Sequence, residues 1–257
     1  SLSFSDEDVL SNIKDYDRPY DRSDYDLVAS GVDWGENNHH IVTLGMRDTG
    51  EIDLLHLKEI QRSKGIEHIE EDINLVIKDL KQYDPNIIIV DKGFNGNYND
   101  ILMKYFGSNK VYSCIVRSAK SNGDPIAHFN DNDSTVTIDK LTQNIITLSN
   151  LKRGSISFWR GSERDQDIKL LCKHWSNVIF RTDETEDANT HEIGTQQVIT
   201  RKGDDHFAQS MVYANVGLNK LMKEYSTKRY NSTEVSLISA DDIIRPEKTL
   251  FQDEYGL

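Results

Sequence analysis

The chain of 257 residues is long enough for one large domain or two small ones with a substantial core. It contains 37% hydrophobic and 28% charged residues, as globular proteins do, and no apolar run approaches the ~20 residues that a membrane-spanning helix needs. The net charge of −13 argues against a passive DNA-coating protein, which is usually basic, but permits an enzyme that meets DNA through a local basic patch and bound metal ions.

Residues 1–26 are rich in acidic side chains and lack apolar periodicity. One short helix around Glu7–Lys14 is the only element that they suggest. Because the chain starts with Ser1 and not Met, we expect a fragment of a longer protein and interpret residues 1–26 as a linker to something upstream. Residues 27–225 are expected to form the main domain, and 226–257 a C-terminal tail.

Three strands are predicted next, at Leu27–Trp34, His40–Met46 and Ile52–Ile60, with the hairpin turn "RDTG" at 47–50. The histidines of "NHH" at 38–40 have no further Cys or His at ligand spacing. We therefore interpret them as a loop start and not as a soft-metal site.

The hydrophobic period then changes. Apolar residues three and four apart from Ile66 to Leu80 predict an amphipathic helix, which the proline of "YDP" at 83–85 ends. The segment "NIIIVD" at 86–91 is short, β-branched and apolar on both faces, as expected for a buried central strand. A helix over Asn97–Phe106 and a strand over Val111–Val116 follow.

The rest of the chain continues the alternation of strands and helices. Residues 117–135 are predicted to be a loop, and the later elements are helices over Val136–Leu151 and Asp165–Trp175, a hairpin of Val178–Thr182 with Gln197–Thr200, and a helix from the segment "RKGDD" onward. A meander of three strands followed by strand–helix–strand units predicts an α/β fold, a mixed β-sheet flanked by helices.

Carboxylates occur at three matching places in this pattern. Asp33 in "GVDWG" ends the first strand, Asp91 ends the central strand, and the pair Asp204 and Asp205 starts the final helix. Each alone could be a turn residue or a helix cap. Together they suit hard divalent cations, which prefer oxygen ligands, and two such ions can clamp the oxygens of a phosphodiester.

Three segments, "GVDWG" at 31–35, "IIIVDKGFNG" at 87–96 and "KGDDHFAQSMVYA" at 202–214, resemble the C-terminal nuclease domain of the large terminase subunit of tailed bacteriophages. The resemblance implies a ribonuclease-H-like fold and a metal-dependent endonuclease that cuts concatemeric double-stranded viral DNA with little sequence specificity. It implies that Asp33, Asp91 and one of Asp204 and Asp205, with Asp205 favoured, bind two Mg²⁺ or Mn²⁺ ions.

The resemblance also suggests a catalytic role for His206. Some members place another aspartate three residues after this histidine, where this chain has Gln209. It further implies an upstream packaging ATPase domain, a small terminase subunit and a portal as partners, no membrane partner, and action in the host cell cytoplasm. No G-x-x-x-x-G-K-[ST] motif occurs in the sequence.

Basic residues that could contact DNA phosphates occur in three groups. The candidates are Lys92 after the central strand; Arg117 and Lys120 after the fifth strand; Lys152, Arg153, Arg160 and Arg164 in and around "KRGSISFWRG", a possible hairpin resting on the duplex; and Arg201 and Lys202 before the final helix. Contacts of this kind carry no sequence information and weaken with salt.

Other interpretations stay open on the sequence alone. A Holliday-junction resolvase or transposase core would share the fold and the metals, an actin-like phosphotransferase would share the sheet, and a docking domain of a packaging motor would need no catalysis. The acidic loop at 183–197 is long enough to cover the site. We interpret Cys114 and Cys172 as reduced core thiols and assign no role to the five histidines His56, His68, His128, His174 and His191.

Overall fold

A computed structural model describes residues 3–63, 68–93, 96–117, 125–186 and 190–237. The chain divides into two compact units, Ser1–Leu221 and Met222–Leu257. The first unit contains the central sheet and the elements packed on it. Lys120 and the end of the predicted tail, 238–257, lie outside the described residues.

An eight-stranded mixed sheet forms the centre of the first unit. Its strands are β1 (Leu27–Trp34), β2 (Asn38–Met46), β3 (Ile52–Gln61), β4 (Ile87–Asp91), β5 (Val111–Arg117), β6 (His128–Asn130), β7 (Thr135–Asp139) and β8 (Ile156–Ser157), in the spatial order β6-β7-β5-β4-β1-β2-β3-β8. The strands β1, β2 and β3 are an antiparallel meander, whereas β1, β4, β5 and β7 are parallel neighbours. The predicted α/β fold, a mixed β-sheet flanked by helices, is confirmed.

Six helices and a separate hairpin complete the described elements. They are α1 (Asp6–Asn12), α2 (Ile69–Tyr83), α3 (Gly96–Phe106), α4 (Lys140–Lys152), α5 (Gln166–Asn177), α6 (His206–Leu237) and the antiparallel pair β9 (Val178–Glu186) and β10 (Ile193–Arg201). No helix in the described part of the chain is long and apolar enough to cross a membrane.

Alternation along β1 sends its side chains to two different layers. Val32 and Trp34 join the core against α2 and α3. Gly31 and Asp33 are on the other face, where α6 crosses. A Cβ at Gly31 would lie only 1.9 Å from the carbonyl oxygen of Ser210, so the glycine permits the close approach of α6 to β1.

Three sequence-based predictions between residues 117 and 160 are wrong. The helix predicted from Val136 begins only at Lys140, because Thr135–Asp139 is a buried strand of the sheet and the Asp139 side chain accepts a hydrogen bond from the Thr142 amide. The segment "KRGSISFWRG" is not a hairpin, since its two-residue strand β8 pairs with the edge strand β3. The region predicted as a loop also contains the short strand β6.

Residues 3–26 belong to the first unit and pack against the rest of it. Phe4, Val9 and Tyr16 are buried, and the Tyr16 hydroxyl lies 3.0 Å from the Leu54 carbonyl oxygen and 2.7 Å from that of Ser157. The segment is therefore ordered structure, although its role as a junction stays a prediction. Cys114 and Cys172 are free and buried, as predicted.

Candidate functional site

Strand register brings Asp33 and Asp91 together. The strands β1 and β4 are parallel neighbours with Val32 opposite Val90, so the two carboxylates that follow lie side by side at the carboxyl ends of the strands. The side chains of a strand alternate between faces, and both aspartates extend to the face that α6 covers. This edge of a sheet is where ligands of α/β proteins commonly bind.

Helix α6 contributes the third acid and a histidine at its first turn. Asp205 is 3% exposed, whereas Asp204 is on the surface. The His206 Nδ1 lies 2.8 Å from Asp33 Oδ2, which joins the start of α6 to the end of β1. The Phe207 amide, a helix-terminal donor without an intrahelical partner, donates to His174 Nδ1 at 3.0 Å.

These side chains line an open cavity of about 560 Å³. Its charged and polar lining residues are Asp33, Asp91, Asp204, Asp205, Glu36, Glu59, His40, His174, His206, Lys140, Arg201, Asn37, Asn38, Gln209 and Tyr213. All four predicted acids and His206 therefore share one cavity. Acids outnumber Lys and Arg in the lining, so the cavity presents an excess of negative charge.

The electrostatics of the acids follow from burial and crowding. Burial, with smaller contributions from the nearby charges of Asp91 and Asp205, raises the pKa of Asp33 to about 6 against the lowering effect of His206. Burial also raises the pKa of Asp91, against backbone hydrogen bonds and the Lys140 charge. The Asp33 hydrogen bond raises the pKa of His206, which favours the imidazolium form.

Two further histidines, His40 and His174, pack against the start of α6, and burial favours the neutral form of both. Burial lowers the pKa of His174 to about 4 and that of His40 to about 2. The His40 ring stacks on His206 with centroids 4.9 Å apart, and its Nε2 lies 2.7 Å from Glu59. The interpretation of "NHH" as a loop start is wrong, because His39 and His40 are buried in β2.

The donor set fits a hard divalent cation. Asp33, Asp91 and Asp205 offer oxygen ligands from three segments of the chain, and burial raises the pKa values of Asp33 and Asp91. Among the described residues, no three His, Cys, Asp or Glu side chains are already gathered around one point in a metal-binding arrangement. Binding an ion would therefore draw these carboxylates together.

The structure separates the predicted DNA-contacting residues into two groups. Arg201 lines the cavity and lies 3.3 Å from Asp205. Lys92 directly follows Asp91, Arg117 ends the neighbouring strand β5, and Lys202 follows Arg201; all three are exposed. Each of these four residues is in the cavity lining or next to a lining residue in the sequence.

The second group lies away from the acids. Lys152 is twelve residues along α4 from Lys140, about 18 Å along the helix axis, and forms an ion pair with Asp8. Arg160 pairs with Asp15 and Asp17. Of the remaining two residues, Arg153 bonds to Asn150 and Arg164 lies 3.8 Å from Glu163.

Sequence reasoning missed Lys140, His40, Glu59 and His174 at the cavity. For Lys140 a signal existed, since a strand ending at Asp139 would have placed the next residue at the same sheet edge as Asp91. For the other three no local pattern was available. His40 lies opposite Asp33, and Glu59 opposite His40, only through the register of the meander.

No protein-family model matches the sequence, and no curated protein matches it. The chain is similar in structure to the HK97 bacteriophage large terminase (11% identity, 83% of this chain and 43% of that one, TM-score 0.45) and to the human cytomegalovirus terminase nuclease domain (10%, 82% and 93%, 0.43). It is also similar to the fowlpox virus Holliday junction resolvase (23%, 37% and 64%, 0.28). The chain spans less than two thirds of the resolvase and of the HK97 terminase. At these identities the likeness is one of fold.

Proposed function

We propose that this chain is a metal-dependent endonuclease that hydrolyses phosphodiester bonds of double-stranded DNA. The observation that supports the proposal is the convergence of Asp33, Asp91 and Asp205, from two strands and a helix, on one cavity. Buried like charges destabilise a fold and are hard to explain as packing. A site that binds divalent cations explains them.

In this proposal Asp33, Asp91 and Asp205 hold two Mg²⁺ or Mn²⁺ ions, with the exposed Asp204 at the rim. When bound, such ions supply an activated water and stabilise the negative charge that develops on the phosphate. His206 orients Asp33 through the 2.8 Å hydrogen bond.

Cationic side chains at the cavity would offset the repulsion between its acids and the phosphates of DNA. Lys140 and Arg201 line the cavity, while the exposed Lys92, Arg117 and Lys202 each follow a lining residue in the sequence. We therefore expect a duplex backbone placed over the acids to meet positive side chains. These contacts go to phosphates and give little sequence preference. The loop predicted at 183–197 is shorter in the structure, because β9 extends to Glu186 and β10 begins at Ile193, and its covering role stays a prediction.

The biological setting is proposed from the sequence resemblance. Its three acid-bearing segments resemble those of large terminase nucleases, so we infer a role in cutting concatemeric viral DNA during packaging in the host cytoplasm. A packaging ATPase domain, a small terminase subunit and a portal would then be the partners. A Holliday-junction resolvase would use the same acids, and only the substrate distinguishes the two.

The test is cleavage of supercoiled plasmid by the purified chain with EDTA, Mg²⁺ or Mn²⁺. We expect metal-dependent nicking and linearisation that Asp91→Ala reduces by at least about 10³-fold, the scale of losing a main electrostatic contributor. Asp48→Ala, in the exposed turn between β2 and β3, is the matched control and should cut like the wild type. No cleavage with any metal, or an active Asp91→Ala variant, would refute the proposal.

A four-way junction and a linear duplex of the same sequence complete the test. Equal rates on both substrates would support a packaging nuclease. A strong preference for the junction, with symmetric cuts at its centre, would replace the packaging role by junction resolution.

A further inference from the structure

The two carboxylate oxygens of Asp205 have different partners. Oδ1 lies 3.3 Å from the Arg201 guanidinium, whose side chain is 61% exposed, and such a solvated ion pair contributes little to position. Oδ2 accepts from Gln209 Nε2 at 3.2 Å, and Gln209 is 6% exposed. The buried amide is therefore the main determinant of where this carboxylate lies.

Gln209 is in turn held by Asn144, which is fully buried on α4. Gln209 Nε2 donates to Asn144 Oδ1 at 3.0 Å, and Asn144 Nδ2 lies 3.4 Å from Gln209 Oε1. Asn144 Nδ2 also donates to the Lys140 carbonyl at 2.8 Å. The carboxylate and this carbonyl can only accept, so they determine which way both amides face.

The result is a continuous hydrogen-bonded path from Asp205 on α6 to the first turn of α4. At its other end is Lys140, whose side chain lines the same cavity. We infer that Gln209 and Asn144 are positioning residues that fix the third acid of the cavity relative to Lys140. The inference rests on the proposed function, since it gives the path a purpose: to hold a metal-binding acid and a phosphate-binding lysine in register.

Gln209→Glu tests the role of the donor with almost no change in size. A carboxylate at 209 would face two acceptors, Asp205 Oδ2 and Asn144 Oδ1, and could donate to neither. Partners of this kind typically change metal affinity or activity by about 10–100-fold. We expect Mg²⁺ and Mn²⁺ to bind about 10-fold or more weakly to the metal-free protein in titration calorimetry, and kcat to fall while KM for DNA stays within about twofold.

Gln143→Glu is the matched control, because Gln143 is a buried glutamine beside Asn144 that donates instead to the Pro125 carbonyl. It should lower the melting temperature at least as much as Gln209→Glu and leave metal binding unchanged. Raising the Mg²⁺ concentration should recover cleavage by Gln209→Glu, which a general loss of folding would not allow.

Two results would overturn the inference. One is unchanged metal affinity in Gln209→Glu, and the other is an equal loss in Gln143→Glu. The calorimetric comparison needs no DNA cleavage, so it decides the inference even if the wild type fails to cut. If Asp91→Ala abolishes cleavage but Gln209→Glu binds metal normally, the proposed function stands and the inference fails.

Discussion

The two ends of the central sheet both collect charged side chains, but they organise them in opposite ways. At the carboxyl ends of β1 and β4, Asp33 and Asp91 are crowded together with other acids around a cavity. At the other end, near the pairing of β3 with β8, acids of the chain's first segment form ion pairs with Lys and Arg, as Asp8 does with Lys152 and Asp15 and Asp17 do with Arg160.

The acids at the cavity are arranged to bind a ligand, whereas the acids at the other end form ion pairs at the surface. Burial and like-charge repulsion raise the pKa of Asp33. At Asp8 burial also acts to raise the pKa, but the Lys152 ion pair and the Ser5 hydrogen bonds outweigh it and lower the pKa. A fold that gathers more acids than cations around one cavity, and balances acids with Lys and Arg elsewhere, stores an excess of negative charge where a cation can bind.

The largest effect that tests this comparison is expected on DNA cleavage when the lysines at the two ends of α4 are substituted. Lys140→Met removes a cation from the cavity, and we expect cleavage to fall about 10–100-fold, because charged groups that touch the developing phosphate charge act in the transition state. Lys152→Met removes an equal charge from the far end of the same helix and should leave cleavage unchanged. Initial rates on plasmid in low salt measure both.

Equal losses in the two lysine variants would mean that net charge alone attracts DNA, and the distinction between the ends would fail. Repeating the assay at several salt concentrations strengthens the control, since a contribution from net charge disappears as salt screens it.

The sequence predicted the acids because their signal is local. A carboxylate that directly follows a run of β-branched residues, as Asp91 does, is predicted to lie at the end of a strand. The alternation of β1 also fixed Asp33 on one face, and the strand bounds Leu27–Trp34 were predicted as observed.

The basic residues and the residues that hold the acids in place were predicted less well, for a physical reason. Whether Lys152 faces DNA or an acidic partner depends on where residues 3–26 pack, which no local pattern in that segment encodes. The strand Thr135–Asp139 carries apolar residues that continue into α4 at helical spacing, so the boundary that places Lys140 at the cavity was hidden. The Asp205–Gln209–Asn144 path joins residues 65 positions apart.

Removing one of the crowded acids at the cavity should stabilise the protein. The pKa of Asp33 rises from 3.8 to about 6 on folding, so the folded state binds the proton more tightly, and stability falls as the pH rises from about 4 to about 6. Asp33→Asn should therefore be more stable than the wild type at pH 7 by an amount of order 2 kcal/mol, roughly 4–8 °C in melting temperature. The gain should shrink toward zero at pH 4.

Thermal melts of both proteins at pH 4 and pH 7 in EDTA check this expectation, and addition of Mg²⁺ should stabilise only the wild type. A less stable Asp33→Asn protein at pH 7 would show that Asp33 is satisfied in the fold and would contradict the account of stored charge.

The smallest effect is expected at Asp8, and it has the opposite sign. Its lowered pKa means that its contribution is present above pH 3.8 and disappears as the pH falls through the folded-state pKa. Asp8→Asn should cost less than about 1 kcal/mol of folding stability at pH 7, since the ion pair is partly solvated, although the Ser5 capping box is weakened as well.

Lys152→Met should cost a similar amount of folding stability, and the double variant should be no worse than the sum of the two single variants. Acid removes both the penalty at Asp33 and the contribution of Asp8. The stability differences of Asp33→Asn and Asp8→Asn from the wild type should therefore have opposite signs at pH 7 and should both shrink toward zero as the pH falls. Melts that moved in the same direction with pH at both ends would mean that pairing does not distinguish them.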